Sequence, residues 1–184
     1  MRKLIIALLL PIAGPALAHT GAGHVDSFAA GFGHPFLGVD HLLAMVFVGV
    51  WASLIGGTRQ WVWPLAFLGA LVAGGAAGYA GHAMPGLELV IAGSVMLLGF
   101  VVAARLALPV AFGAVLITLL SFAHGVAHGA EAAGAGFVPY AAGFLLASAA
   151  LHGAGLLFAR SLTATIVRIA GGAAMLAGLA LVLA

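Results

Sequence analysis

Residues 109–131 read PVAFGAVLITLLSFAHGVAHGAE. The stretch is apolar for about 20 residues, the length a helix needs to cross a hydrocarbon core. It ends in two histidines and a glutamate. His124 and His128 are four apart and share one helical face, and Glu131, three further on, continues the stripe. Ionisable groups inside a membrane helix are expensive, so each is a functional candidate. The stretch predicts an environment and a site together.

The rest of the chain agrees with that environment. Of 184 residues, 65% are hydrophobic and 5% charged, whereas soluble domains carry roughly 25% charged residues. So few charges cannot form a polar shell, which excludes a globular cytosolic enzyme, a nucleic-acid binder and a disordered chain. The net charge of +2 comes from six basic and four acidic residues that form no patch. There is no Cys, hence no disulfide and no thiolate metal site, but there are eight His.

Met1 to Ala18, MRKLIIALLLPIAGPALA, has a basic start, a short apolar core broken by prolines, and a small-x-small end. That is the arrangement of a cleaved secretory signal peptide, too short and broken for a span. Residues 19–34 then form a periplasmic leader containing His19 and His24. Residues 35–184 form the transmembrane domain, with apolar runs at 35–55, 61–80, 87–104, 109–129, 139–159 and 162–183. Backbone polar groups in lipid must pair internally, and continuous apolarity does not suit barrel strands. The expected fold is therefore all-α: a polytopic integral membrane protein with a six-helix transmembrane bundle after the signal peptide.

A mature start outside the cytoplasm makes the first, third and fifth connections cytoplasmic. These carry Arg59, Arg105 and Arg160, with Arg168 close enough to snorkel back, and the outer connections carry no Lys or Arg. The expected location is the bacterial inner membrane, with both mature termini periplasmic. Frequent Gly permits close helix packing and association between copies, but specifies no oligomeric state.

The polar residues then fall into register. The first span opens GHPFLGVDH over 33–41, with Pro35 suited to a first helical turn. Asp40 and His41 lie about 8 Å below its outer end, and His124 about 8 Å below that of the fourth span, which runs the other way. His34 and His41 are seven apart, roughly 10 Å along a continuous helix, so His34 is placed at the entrance rather than on the same ion. His82 is expected in an outer loop, and His152 about 20 Å deep in the fifth span. Imidazole and carboxylate together suit a borderline divalent cation such as nickel, cobalt, zinc or copper, whereas calcium and magnesium want more oxygen. Asp40 is either a ligand or an acceptor that orients an imidazole. A structural polar network is the competing reading of the cluster. A bond to a neighbouring helix is the competing reading of His152.

At these residues the sequence resembles the HupE/UreJ family, hydrogenase- and urease-accessory membrane proteins regarded as nickel or cobalt permeases. The first-helix signature His-Pro-x-x-Gly-x-Asp-His is matched by His34, Pro35, Gly38, Asp40 and His41. The signature His-Gly-x-x-His-Gly-x-Glu is matched by His124, Gly125, His128, Gly129 and Glu131. The resemblance covers essentially the whole chain. It implies secondary uptake of nickel or cobalt, carried as substrate with no permanently bound cofactor, and metal ligation by the motif residues His34, Asp40, His41, His124, His128 and Glu131. His19, His24, His82 and His152 are further candidates for capture or relay. No nucleotide-binding motif occurs. Two other readings use the same residues: an intramembrane zinc hydrolase with Ser121 beside His124 and a water activated by Asp40 or Glu131, and a bis-His haem carrier using His41 with His124 or His152.

Overall fold

The computed structural model describes residues 27–132 and 136–184. The expected signal peptide, its cleavage site, His19 and His24 lie outside the described residues. Among these, all regular structure is helical: α1 (Phe28–Gly33), α2 (Val39–Ala52), α3 (Val62–Tyr79), α4 (Leu87–Ala103), α5 (Val110–Glu131), α6 (Phe137–Ser161) and α7 (Ala164–Leu183), with 3-10 turns at His34–Phe36 and Thr58–Trp61. Four helices are long and apolar enough to cross a membrane, Thr58–Tyr79, Val110–Glu131, Phe137–Ser161 and Ala164–Leu183; α1 with α2 makes a fifth if that bent pair is one span. The α4 helix is apolar but has 17 residues. Large apolar side chains such as Leu65, Phe112, Leu119, Leu157 and Ile169 point outward, while His41, His124, His128 and His152 face in. That inversion is what a lipid solvent selects.

The first apolar run differs from the continuous helix expected over 35–55. It is broken, and α1 and α2 meet at 81°. Ser27 caps α1, its Oγ accepting from Ala30 N at 3.1 Å. Pro35 starts the 3-10 turn, and Gly38 leaves helical geometry (φ −97°, ψ 124°) and caps α2. A Cβ at Gly38 would press on the Asp40 carboxylate and the His41 ring. The break thus folds the leader's end back over the bundle, where α1 packs on α6. Gly31 lies against the Tyr140 carbonyl and Gly143 against that of Phe28.

The principal helix pairs are α3 with α5, α4 with α7, and α2 with α6. Small residues four apart draw α3 and α5 together. A Cβ at Gly74 or Gly78 would meet the carbonyls of Phe122 or Val126, and one at Gly125 or Gly129 would meet those of Leu71 or Gly75. Each motif histidine of α5 is therefore followed by a glycine that seats the helix on α3. Gly129→Val is expected to cost about 1–3 kcal/mol by overpacking against backbone. Gly172, with open space beside it, should accept Ala with no loss. Thermal unfolding in detergent checks this pair, and an equal fall in Tm for both variants would contradict the packing account.

The opposite end of the bundle is tied by tryptophans. Trp51 of α2 and Trp63 of α3 are fully buried, with ring centroids 4.0 Å apart. Their indole N–H groups donate to Leu106 O at 2.8 Å and Val110 O at 2.9 Å. Arg160 Nη2 donates to Gln60 Oε1 at 2.6 Å. These bonds gather the segments bearing Arg59, Arg105 and Arg160 at one end.

Candidate metal centre

Three histidines at the other end are oriented through their Nδ1 atoms. Asp40, in the first turn of α2, accepts from His41 N at 2.9 Å and pairs with His41 Nδ1 at 2.7 Å. His124 Nδ1 lies 3.0 Å from the Leu120 carbonyl, which can only accept. His128 Nδ1 lies 3.2 Å from Glu131 Oε2. These partners assign the proton of each neutral ring to Nδ1, so each Nε2 keeps its lone pair. All three Nε2 atoms are fully buried with no hydrogen-bond partner. A buried, unpartnered polar group costs about 1–3 kcal/mol, and three in one cluster are hard to explain by packing. They are lone pairs of the kind a borderline metal takes, with Asp40 and Leu120 O holding the His41 and His124 rings from behind.

The rings form a file. His41 and His124 centroids are 5.3 Å apart, His41 and His128 4.4 Å, and His34 and His128 4.6 Å. His34 stands at the head of the file, and the bend at Gly38 brings it closer to His41 than an unbroken helix would. The axial separation of seven residues holds only in an unbroken helix, and here the His34 and His41 rings lie 5.9 Å apart. His34 Nε2 is 3.7 Å from Glu131 Oε2. Ligand atoms of His34, His128 and Glu131 all fall within 4.8 Å of one another, an outer triad of two imidazoles and a carboxylate. His41 and His124 continue inward from it. Asp40, left open as ligand or orienting acceptor, is turned to His41 Nδ1.

Sequence reasoning missed Tyr140. Its hydroxyl is buried without a partner and its ring lies 5.9 Å from that of His34. It is one of two tyrosines in the chain, in the first turn of α6, the helix that faces the motifs, and that position was the available signal. His82 lies in the exposed turn after α3, its backbone N–H bonded to Ala77 O, and does not join the file. His152 is buried deeper in α6.

This geometry unites the two histidine motifs in one site, and comparison with known proteins gives the same grouping. The family profile described as HupE / UreJ protein matches residues 6–181. The chain belongs to the HupE/UreJ family. It is 42% identical over 183 residues to Protein HupE of Rhizobium leguminosarum bv. viciae, covering 96% of each chain. No solved structure matches. HupE/UreJ proteins are hydrogenase and urease accessory proteins, and that places the histidine file in a membrane protein of an accessory rather than a catalytic family.

Proposed function

We propose that the protein is a secondary permease that takes up a divalent transition-metal cation, nickel or cobalt, from the periplasm across the bacterial inner membrane. The observation that carries this reading is the file of buried imidazoles whose Nε2 atoms have no protein partner, headed by the His34–His128–Glu131 triad. In this reading a signal peptide ending at Ala18 puts the mature amino terminus outside. The bent pair and α4 complete six spans, and both termini are periplasmic. An α4 of 17 residues reaches about 26 Å at 1.5 Å per residue, a shortfall that local bilayer thinning accommodates. The arginine end faces the cytoplasm, as the positive-inside rule requires.

The ion meets the triad first, where a carboxylate offsets its charge and imidazoles replace part of its hydration. It then exchanges along His41 and His124. A membrane potential supplies about 2.3 kcal/mol per charge per 100 mV, roughly twice that for a dication, enough to draw the ion inward without ATP. Because ligating imidazoles must be unprotonated, uptake competes with protons.

The hydrolase reading is not favoured. Ser121 Oγ is turned away to the Phe67 carbonyl at 2.5 Å, and the carboxylates that would activate a water are turned to ring nitrogens, Asp40 to His41 Nδ1 and Glu131 to His128 Nδ1. The haem reading fares no better, since His41 and His124 pack edge to face at 5.3 Å and leave no slot for a macrocycle.

Accumulation of radioactive nickel and cobalt in metal-starved cells tests the proposal. Wild type should accumulate metal, and His41→Ala and His124→Ala should not, at equal membrane levels. Equal uptake by all three would remove the file from the path. Asp40→Asn should weaken Co2+ binding by the purified protein 10–100-fold, the usual cost of losing a partner that orients a ligand. Cobalt d–d absorption reads this directly, and unchanged affinity would reduce Asp40 to a cap on α2.

A further inference from the structure

Farther toward the arginine end, α6 carries a histidine that the outer cluster does not use. His152 is 1% exposed, and neither of its ring nitrogens has a hydrogen-bond partner. Its level is set by Gly49 of α2, where an added Cβ would strike the His152 carbonyl; Gly49 lies two turns beyond His41 on α2. One phenyl ring stands between it and the file above. Phe67 is 6.0 Å from the His124 ring and 4.8 Å, edge-on, from that of His152. One turn from Phe67 on α3 is Trp63, tilted against Trp51, with the indoles bonded to Leu106 of the α4–α5 connection and to Val110, the first residue of α5.

Packing alone does not account for an imidazole there. An aliphatic or aromatic side chain would fill the space without stripping two nitrogens of water. The pattern matches that of the outer cluster, where buried ring nitrogens are also left without protein partners. One turn away on the same helical face, Ser148 donates its hydroxyl proton to Phe144 O at 2.8 Å, which leaves the Oγ lone pairs available.

We propose that His152 is a second, inner binding station for the transported divalent cation, reached from His124 past the Phe67 ring and closed toward the arginine end by the Trp51–Trp63 pair. It rests on the permease reading above and adds a step to it. A single imidazole with one hydroxyl nearby binds a partly hydrated ion weakly. Conduction through a series of sites requires such weak binding, since a tight inner site would trap the ion.

The test compares wild type, His152→Leu, His152→Gln and His152→Cys, all at equal membrane levels. Nickel accumulation in cells reports transport, and Co2+ titration of the purified proteins reports the outer cluster. The expected result is a fall in uptake rate of ten-fold or more for Leu and Gln, with Co2+ affinity of the outer cluster within two-fold of wild type. Cys, which restores a soft metal ligand, should recover a substantial part of the rate. Leu and Gln variants transporting within two-fold of wild type would overturn the inner station. Equal loss in all three variants would assign His152 to packing and overturn it as well. Failure of the wild type itself to accumulate metal would bring down the permease reading, and the station with it.

Discussion

Replacing His128 by alanine is expected to abolish metal uptake and to weaken Co2+ binding about 100-fold or more, equivalent to about 2.7 kcal/mol. His128 lies between the triad and the two inner rings. Its ring lies 4.6 Å from His34, 4.4 Å from His41 and 4.2 Å from Phe144, and its Nδ1 holds Glu131. The substitution removes a ligand from the outer triad and interrupts the route from that triad to His41. It leaves the α3–α5 contact intact, because that contact is made by Gly125 and Gly129. His82→Ala, in an exposed turn, should leave both measurements unchanged. Equilibrium titration of the purified variants with Co2+ decides this, and wild-type affinity in His128→Ala would refute the assignment of the triad.

Gly38→Val is expected to abolish uptake although the residue offers no ligand. Its added side chain would meet Asp40 Oδ1 and His41 Nδ1, the pair that orients the first ring of the inner file. The backbone at Gly38 is extended (φ −97°, ψ 124°) and open to any residue, so the effect comes from the side-chain clash alone. The variant should lose Co2+ affinity at least as strongly as His34→Ala while remaining in the membrane. The two measurements together separate a bend required for the site from one required for folding. Retained affinity would show that the Asp40–His41 pair tolerates a side chain at position 38.

The helices were largely legible in the sequence, because continuous apolarity measures length directly. The runs expected at 109–129 and 162–183 appear as α5 and α7 over 110–131 and 164–183. The shared depth of the two motifs was legible too, since it needs only alternating direction and a constant rise. The bend was not. Pro35 and Gly38 permit a break, but whether the chain takes it depends on α1 finding a seat on α6 at Gly31 and Gly143, contacts distant in sequence. The short distance from His34 to His41 was hidden with it, because axial arithmetic assumes an unbroken helix. Asp40 could be read as ligand or orienting partner until its bond to His41 Nδ1 was seen. Tyr140 and Phe67 escaped notice because an aromatic residue in an apolar span is ordinary until its neighbours are known.

In the proposed function this file of imidazoles admits a divalent metal ion to the membrane interior. Purified protein in proteoliposomes, with an inside-negative potassium diffusion potential and radioactive nickel outside, tests it without other cellular components. The expected result is accumulation that depends on the potential and disappears in His128→Ala. No accumulation by the wild type, or equal accumulation by both proteins, would contradict it.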